Sequence, residues 1–368
     1  MRSKVVLTLD QLRRRHPGGI GTYVRGLVRG LQELIGIGEL DFDLGGLAPR
    51  GPSPDPLNDL ALNLRCTPFG ERLTTRLWAH RALGVPRDAA VLHATSMAGP
   101  YGGGARGAVH SVIVHDVLWR DLPEFTTRRG VSFHESRLQR IVAQSDLRVL
   151  VTSSDLAHRL ADEGVVESRL HVVRLGVDAA PVASELLGRE QLFDQLRLHD
   201  VVGPLGQFTL VVGTVQPRKN LAGLIKAHRE ARVRVDELGP LVLAGERGWG
   251  DVDVDDAVVL GAVSAELLAS LYAHCRISAY VPFEEGWGLP PVEALAAGRP
   301  VVVASTVPSV SGSPYVLTVD PHDHDAMVSA LVAAIELVDD DDAREARRAS
   351  VAHFSWANCA RDHWKAWS

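Results

Sequence analysis

The chain has 368 residues, which is long enough for two domains of common size. Hydrophobic residues make up 46% of the chain and charged residues 23%, the ordinary balance of a soluble globular protein. The formal net charge of −6 gives no reason to expect a nucleic-acid partner.

Cysteine usage and the first residues bear on the cellular compartment. Cys66, Cys275 and Cys359 are far apart and odd in number, so they predict neither a disulfide framework nor a metal site. The apolar run within residues 1–9 is too short for a signal peptide, and no run approaches the length that spans a bilayer. We therefore expect a cytoplasmic protein.

The N-terminal segment predicts a strand, a glycine-rich loop and a helix. Residues 5–9 predict the strand, and residues 22–34 predict a long amphipathic helix. The loop between them contains Gly18-Gly19-Ile20-Gly21, which is not a dinucleotide fingerprint because Val24 replaces the third glycine. A glycine loop that opens a helix suits an anion. An ordinary helix start is the alternative interpretation.

The rest of the first half alternates strands and helices. Residues 45–70 are rich in Gly, Pro and Asn and predict loops around a short strand. Further strands are predicted at 90–94, 108–114 and 147–152, with helices at 73–83, 126–143 and 156–163. His115 follows the strand at 108–114, where it can donate to a substrate hydroxyl or serve a structural role.

The helix predicted at 126–143 is rich in arginine. Its basic residues are Arg128, Arg129, Arg137 and Arg140. They predict either a basic face for an anionic lipid surface or a solvated face of mixed charge. A peripheral contact with the inner face of the cell membrane is therefore one of two open interpretations.

A second domain begins with a clear βα unit. Residues 208–212 predict a strand, and a helix begins near Leu221. The turn between them is Gly213-Thr214-Val215-Gln216-Pro217-Arg218-Lys219-Asn220, with Asn220 as the predicted cap. A guanidinium fork beside an ammonium point charge suits a diphosphate. Surface charges beside a helix start are the alternative.

A later stretch predicts another strand–turn–helix unit. Residues 276–281 predict a strand, residues 292–297 a helix with Pro291 at its first position, and residues 301–304 a second buried strand. The turn that contains residues 282–291 therefore lies at the carboxyl end of a parallel sheet. Ligands bind at this edge in open α/β folds.

The residues of this turn suit a sugar nucleotide. Gly286 and Gly288 let the backbone approach a ligand, and the amides of residues 287–289 form a seat for an anion. Glu285 and Glu293 flank the seat, and carboxylates are good acceptors for the vicinal hydroxyls of a ribose or hexose. The alternative interpretation is that Glu293 only complements the helix dipole and that Glu285 is a solvated loop residue.

The same turn resembles a known signature. Glu285-Gly-Trp-Gly-Leu-Pro-Pro-Val-Glu293-Ala is similar to the E-x7-E motif of retaining GT-B glycosyltransferases of family 4. Trp287 and Pro291 depart mildly from the usual Phe and single Pro. The resemblance implies that Glu285 lies against the donor sugar and diphosphate, and that Glu293 holds the ribose diol.

The resemblance extends over nearly the whole chain and implies a donor site. Thr214 stands where the family has Arg or Thr, so Arg218 is expected to supply a guanidinium beside Lys219. The implied donor-binding residues are Gly19, Thr214, Arg218, Lys219, Gly245, Val263, Glu285, Gly286, Trp287, Gly288, Leu289 and Glu293. The implied catalytic residues are His115, Arg218, Lys219 and Glu285.

Two acidic segments are interpreted without a metal. Asp251-Val252-Asp253 precedes an apolar strand, whereas the metal-binding pair of GT-A enzymes closes one. His322-Asp323-His324-Asp325 lies just before a predicted helix and fits helix capping. We expect no metal and no cofactor, with the nucleoside-diphosphate sugar as a substrate.

The resemblance also implies the architecture. The expected fold class is α/β, a GT-B fold of two Rossmann-like domains facing a cleft. The acceptor-side domain is expected at 1–180, the nucleotide-sugar-binding domain at 181–350, and a closing helix at 351–368 that crosses back onto the first domain. The oligomeric state is left open.

The expected reaction is transfer of a hexose with retention. The acceptor is a hydroxyl on a glycan, a glycolipid or a small molecule, as in polysaccharide biosynthesis. Mannose is the first choice, because Gly-Thr-x-x-Pro-Arg-Lys-Asn and Gly-x-Arg-Gly-Trp resemble segments of mannosyltransferase-like members. The alternatives are a glycoside hydrolase using Glu285 and Glu293, a non-catalytic sugar-nucleotide-binding protein, and an epimerase.

Overall fold

The chain forms two compact α/β units. The computed structural model describes residues 2–14, 17–53, 55–178, 186–197 and 206–368. The first unit comprises Met1–Gly176 together with Phe354–Ser368, and the second comprises Val177–His353. The domain boundary predicted at 180/181 lies outside the described residues, as does most of the linker predicted before residue 206.

Parallel strands form the centre of each unit. The strands of the first unit are β1 (Ser3–Thr8), β2 (Phe42–Ala48), β3 (Asn63–Cys66), β4 (Ala89–Ala94), β5 (Val109–Val114), β6 (Arg148–Val151) and β7 (Leu170–Val172). Those of the second unit are β8 (Thr209–Val212), β9 (Leu241–Ala244), β10 (Ala257–Gly261), β11 (Ile277–Tyr280), β12 (Val301–Ala304) and β13 (Val316–Val319). Several of them are apolar along their whole length because helices cover both faces of such sheets.

Helices connect the strands. In the first unit they are α1 (Gly18–Gly36), α2 (Glu71–Trp78), α3 (Leu118–Asp121), α4 (Arg128–Ala143) and α5 (Ser154–Asp162). In the second unit they are α6 (Arg189–Leu196), α7 (Leu221–Arg234), α8 (Ala265–His274), α9 (Leu289–Ala296), α10 (His324–Glu336) and α11 (Asp341–Val351). The helix α12 (Trp356–Trp367) returns to the first unit.

The order of the strands fixes where a ligand can bind. The first sheet has the order β3-β2-β1-β4-β5-β6-β7, and the second has the order β10-β9-β8-β11-β12-β13. The pairings between these named strands are parallel, and the direction of connection reverses between β1 and β4 and between β8 and β11. Both units are therefore Rossmann-like, as predicted, and each has a switch point beyond the carboxyl ends of two central strands.

Two elements of the first unit differ from the prediction. β2 continues through Gly45 and Gly46, where a loop was expected. Gly46 has a packing role, because a Cβ there would lie 2.4 Å from Leu9 Cδ1. α1 begins at Gly18, earlier than expected, so Gly19 lies within its first turn and not in a preceding loop.

Glycines of α1 make room for the C-terminal helix. A Cβ at Gly26 would lie 2.1 Å from the Trp356 ring, and one at Gly30 would lie 2.1 Å from the Trp356 carbonyl oxygen. The Tyr23 hydroxyl, also on α1, bonds His363 of α12 at 2.9 Å. The last helix is thus an integral part of the first unit's core.

The arginines of α4 do not form a single basic face. Arg137 is buried, and its guanidinium donates to the carbonyl oxygen of Thr75 at 2.6 Å. Arg140 lies over the Tyr101 ring, with its Cζ 5.8 Å from the centroid. Arg137 therefore cannot contribute to a lipid-facing surface, because its guanidinium is buried and bonds carbonyl oxygens within the unit.

Candidate active site

The candidate site lies at the switch point of the second unit. The chain leaves β8 into residues 213–220 and leaves β11 into residues 281–288, and these two strands are neighbours in the sheet. The amide of Phe283 donates to the carbonyl oxygen of Arg218 at 3.0 Å, which joins the two loops directly. The two turns that the sequence analysis identified separately, after β8 and after β11, are therefore in direct contact.

Three side chains converge on one oxygen of Glu285. Lys219 Nζ and the Tyr280 hydroxyl donate to Glu285 Oε2, and Arg218 lies 3.3 Å from the same oxygen. Lys219 also donates to the Tyr280 hydroxyl. The Lys219 and Glu285 side chains are only 11% and 12% exposed. We call Arg218, Lys219, Tyr280 and Glu285 the charge cluster.

The charges of the cluster set its protonation. Burial alone would raise the pKa of Glu285, but the Lys219 and Arg218 charges outweigh it and hold this pKa well below its usual range. Burial, reinforced by the Glu285 charge, raises the pKa of the Tyr280 hydroxyl well above its ordinary value. Glu285 is therefore an anion and Tyr280 a neutral donor at neutral pH.

Tyr280 was not predicted as a site residue. It is the last residue of β11 and is buried, so its sequence context resembles that of any apolar strand residue. A tyrosine at the carboxyl end of a strand, five positions before the glutamate, is a weak signal in one sequence. Only the fold shows that its hydroxyl reaches Glu285.

A backbone turn presents the two cations. Residues Pro217–Lys219 form a 3₁₀ turn, and Asn220 follows with a positive φ of 52°. Asn220 was predicted to cap α7, but its side chain makes no cap hydrogen bond. It donates instead to the carbonyl oxygen of Pro321 at 2.9 Å. The turn is therefore fixed from outside α7, by the loop after β13.

The helix α9 begins earlier than predicted, at Leu289 and not at Val292. Pro290 and Pro291 thus occupy its first turn and contribute no N–H groups. Of the first-turn positions, only Gly288 and Leu289 offer amides toward the N-terminus. Pro290 and Pro291 therefore add no donors to the predicted anion seat, which consists of the amides of residues 287–289.

The loop before α9 depends on Gly288 and Ser309. Gly288 has a φ of 93°, and a Cβ there would lie 2.4 Å from Val307 Cγ1. Ser309 Oγ donates to the Gly288 carbonyl oxygen at 2.6 Å, and the Ser309 amide donates to that of Trp287 at 3.0 Å. Ser309, which was not predicted as a site residue, thus holds the glycine loop in place.

Glu293 has surroundings very different from those of Glu285. The hydroxyl of Tyr272, on α8, donates to Glu293 Oε2 at 2.9 Å. Burial raises the pKa of Glu293 to about 7 against the effect of this bond, and the Asp178 charge adds to the rise. The two glutamates of the signature are thus held in opposite protonation states below neutral pH.

Backbone contacts tie the neighbouring loops together. Thr214 follows Gly213, and a Cβ at Gly245 would lie 1.9 Å from the Gly213 carbonyl oxygen. The Gly245 amide donates to the carbonyl oxygen of Gly261 at 2.8 Å, two residues before Val263. The predicted residues Thr214, Gly245 and Val263 therefore belong to adjoining loops at one sheet edge.

The remaining predicted residues, Gly19 and His115, lie in the first unit. His115 follows β5, and its Nε2 lies 3.0 Å from the carbonyl oxygen of Thr95. Burial lowers the pKa of His115, with this bond and the Asp116 charge opposing it. His115 is therefore neutral with Nε2 protonated, which leaves Nδ1 as a hydrogen-bond acceptor.

The described residues contain no group of three or more His, Cys, Asp or Glu side chains that could hold a metal ion. Asp323, from one of the acidic segments, caps α10 by accepting from the Ala326 amide at 2.9 Å, as predicted. In the described ranges, no helix has both the length and the apolar character needed to cross a bilayer.

Comparison with known sequences identifies relatives. Residues 206–337 match the family described as "Glycosyl transferases group 1". The O-antigen chain mannosyltransferase B of Escherichia coli is 37% identical over 169 residues, which cover 41% of this chain and 43% of that protein. The MMP alpha-(1->4)-mannosyltransferase of Mycolicibacterium hassiacum is 28% identical over 254 residues, which cover 63% and 56%. The chain thus spans about half the length of the curated relatives it matches.

Comparison with solved structures identifies the fold. Anabaena Alr3699/HepE, solved in complex with UDP and glucose, matches with a TM-score of 0.70 and 15% sequence identity. The match covers 99% of this chain and 98% of that one. The chain therefore has the GT-B fold, and its residues 206–337 match the group 1 glycosyl transferase family.

Proposed function

We propose that this protein is a retaining glycosyltransferase that moves a hexose from a nucleoside-diphosphate sugar to an acceptor hydroxyl. The main observation in support is the charge cluster at the switch point of the second sheet, where Arg218 and Lys219 both pair with Glu285. The relatives named above support a mannosyl group as the first donor to test. Retention is proposed from the resemblance of the Glu285–Glu293 motif.

The chemistry requires stabilisation of a departing diphosphate. As the bond between the anomeric carbon and the phosphate oxygen breaks, negative charge grows on the diphosphate. Arg218 and Lys219 supply two positive charges against the one negative charge of Glu285, so the cluster carries a net charge of +1 before the donor binds. A donor diphosphate would compete with Glu285 for the two cations. The Glu285 carboxylate would then accept hydrogen bonds from hydroxyls of the sugar.

The proposal needs neither a metal nor a side-chain base. Stabilising donors of this kind each contribute about 2.7–4 kcal/mol in a transition state. The leaving phosphate oxygen accepts the proton of the attacking hydroxyl, so no carboxylate has to act as general base. Glu293 would hold the ribose diol, with Thr214, Gly245 and Val263 in the loops around the nucleotide. Gly19 and His115 remain predictions from the resemblance.

The test is a transfer assay with a donor panel. GDP-mannose, UDP-glucose, UDP-galactose and dTDP-glucose are incubated with a methyl glycoside acceptor, with and without EDTA, and the released nucleotide and the product are quantified. We expect one donor to be consumed only with acceptor present and equally well in EDTA. The anomeric configuration of the product, read by NMR, should equal that of the donor.

Two variants make the assay specific to the site. Glu285→Gln should abolish most turnover, whereas Glu266→Gln, an exposed glutamate on α8, should leave it unchanged. Equal turnover in both variants would contradict the site assignment. Nucleotide binding without turnover over the whole acceptor panel would favour the non-catalytic alternative, and conversion of donor alone would favour the epimerase.

One observation also favours the hydrolase alternative. The pKa of Glu293 is raised to about 7 while that of Glu285 is lowered, which is the pattern of a general acid and an ionised partner. Against it, the Glu285 carboxylate is engaged by Lys219 and Tyr280, which weakens it as a nucleophile. Release of free sugar from a p-nitrophenyl glycoside without nucleotide would support the hydrolase.

A further inference from the structure

A chain of buried polar side chains crosses the core of the first unit, and the proposed donor chemistry does not use it. The Tyr23 hydroxyl, on α1, lies 2.8 Å from Nε2 of His93, on β4, and 2.9 Å from Nε2 of His363, on α12. His93 Nδ1 in turn lies 2.9 Å from Ser111 Oγ, on β5. All four side chains are buried. We call Tyr23, His93, Ser111 and His363 the tyrosine network.

The direction of each hydrogen bond in the tyrosine network follows from its last member. His363 Nδ1 lies 2.8 Å from the carbonyl oxygen of Cys359, which can only accept, so Nδ1 carries the proton. Burial lowers the pKa of His363 to about 4, so the ring is neutral at neutral pH and its Nε2 is a bare acceptor. The Tyr23 hydroxyl therefore donates to His363.

The same reasoning fixes His93 and Ser111. Burial lowers the pKa of His93 well below its usual range, and the His363 and His115 charges add to this effect, so His93 is neutral as well. Because the Tyr23 proton goes to His363, the Tyr23 oxygen accepts and His93 Nε2 carries the proton. His93 Nδ1 then accepts from the Ser111 hydroxyl. Each hydrogen bond of the network thus has one direction.

The Tyr23 ring also contacts the imidazole of His115. The two ring centroids lie 5.0 Å apart and the planes cross at 72°, which is an edge-to-face contact. The bond from His115 Nε2 to the Thr95 carbonyl oxygen, at 3.0 Å, holds one nitrogen of the imidazole but does not fix the plane of the ring. The contact with Tyr23 supplies that second restraint, so Nδ1 points in one direction.

The tyrosine network provides orientation more than stability. Burial of a hydroxyl and two imidazoles is unfavourable unless each group finds its partner, and apolar side chains would fill this part of the core without that cost. A satisfied network, however, favours one arrangement of its side chains. Trp367 of α12 packs against both imidazoles, with its ring centroid 5.3 Å from that of His93 and 5.6 Å from that of His363. The Tyr23 hydroxyl is therefore held from two directions inside a packed core.

We propose that Tyr23 is a positioning residue for His115: its hydroxyl, fixed between His93 and His363, holds the ring that sets the plane of the His115 imidazole. The inference deepens the proposed function and rests on it, because it takes His115 as a residue that meets the substrate. With Nε2 engaged by Thr95, the nitrogen that Tyr23 orients is Nδ1, an acceptor suited to a sugar hydroxyl. Through His363, α12 becomes part of the support of that nitrogen.

The proton arrangement is tested first, without any substrate. Nitrogen–proton correlation spectra of the protein with isotope-labelled histidine distinguish the two neutral tautomers of each ring. The loss of one signal in each of His93→Gln, His115→Gln and His363→Gln assigns the three signals. We expect a proton on Nδ1 of His363 and on Nε2 of both His93 and His115. The opposite tautomer at His93 or His363, or a charged ring at neutral pH, would overturn the inference.

Tyr23→Phe then removes the hydroxyl and keeps the ring. The His115 signal should shift, because the ring that packs against it is released from its two hydrogen bonds. Tyr101→Phe is the matched control, since Tyr101 is a buried tyrosine of the same unit whose hydroxyl donates to the Met97 carbonyl oxygen at 2.6 Å. It should lose a comparable amount of stability in urea but leave the His115 signal and turnover unchanged. An unmoved His115 signal in Tyr23→Phe would overturn the inference.

A double-mutant cycle in the transfer assay tests whether Tyr23 acts through His115. With the donor that the panel selects, Tyr23→Phe should lower kcat about tenfold and leave KM within about twofold, because a small misplacement of a reacting group costs rate more than binding. In the His115→Ala background, the same change should have no further effect on kcat. A loss that persists in that background would mean a purely structural role and would contradict the inference.

The outcomes separate this inference from the proposed function. If no donor supports transfer, the proposed function fails, while the three tautomers and the His115 signal in Tyr23→Phe still uphold or overturn the positioning of His115. If transfer occurs at the same rate in Tyr23→Phe and in the parent protein, this inference fails and the proposed function stands.

Discussion

Removal of the Lys219 charge should separate the structural and catalytic roles of the charge cluster. We consider Lys219→Met, which keeps an apolar stem of similar length and removes the ammonium group. Glu285 then keeps Arg218, at 3.3 Å, and the Tyr280 hydroxyl as partners. The variant therefore weakens the cluster without leaving the carboxylate fully unpaired.

The expected magnitudes follow from the burial of the pair. Both side chains are about nine-tenths buried, with 11% and 12% exposure, and breaking a buried pair by removing one partner costs about 3–5 kcal/mol. Because Arg218 remains, we expect a loss near the lower end, about 3 kcal/mol in the free energy of unfolding. Loss of one donor to the departing diphosphate should lower kcat by about 100- to 1,000-fold.

The double variant Lys219→Met/Glu285→Gln tells the two effects apart. With both charges gone, no buried carboxylate is left short of a partner, so much of the lost stability should return. Turnover should not return, because the diphosphate still lacks the ammonium group. Urea unfolding and steady-state kinetics on the single and double variants give both quantities, with Lys226→Met, an exposed lysine on α7, as the matched control.

Recovery of turnover in the double variant would refute the reasoning. It would mean that Lys219 acts only by neutralising Glu285 and has no part in stabilising the leaving group. Near-normal kcat in Lys219→Met would be equally damaging, because it would remove the main cation from the proposed chemistry.

Three further predictions concern the signature loop and its partners. Because the pKa of Glu293 is raised to about 7, its ionised fraction rises roughly tenfold from pH 6 to pH 8. Nucleotide affinity, measured by calorimetry, should rise over the same interval in the parent and stay flat in Glu293→Gln. The raised pKa also means that this carboxyl contributes stability below about pH 4.5, which is lost as the pH rises through 7. Tyr272→Phe removes the hydrogen bond that lowers the pKa of Glu293, so the increase in nucleotide affinity should shift to higher pH. An unshifted profile would show that Tyr272 does not determine this pKa. Gly288→Ala meets both a positive φ and Val307, and should lower the free energy of unfolding by about 1–3 kcal/mol. Gly107→Ala has a positive φ but open space, so an equal loss in urea unfolding would show that the Val307 contact is unimportant.

The sequence predicts the layout of the second unit well because its signals are local. The run of Val301–Ala304 has the apolar continuity of a buried parallel strand, and the turn after β8 ends where helix periodicity begins. Glycines and prolines mark the loops between them. Secondary structure predicted from such local patterns is retained in the folded protein, because the tertiary contacts favour the same conformation.

Other features depend on neighbours that the sequence does not reveal. β2 passes through two glycines, since Leu9 needs the space above Gly46. Asn220 has the composition of a helix cap but bonds a distant carbonyl oxygen, that of Pro321.

The candidate site shows the same division. Glu285 and Lys219 lie in recognisable motifs, whereas Tyr280 and Tyr272 lie on a strand and a helix whose sequences indicate only burial. The opposite protonation of the two glutamates follows from those neighbours. It could not be predicted from the spacing of the carboxylates alone.

The return of α12 to the first unit reverses the order in which the two units can be completed during translation. Phe354–Ser368 leave the ribosome after every residue of Val177–His353. Until then α1 has no partner for the surface at Gly26 and Gly30, which Trp356 later fills. Completion of the first unit's core therefore waits for residues 354–368, although most of that unit is synthesised before the second.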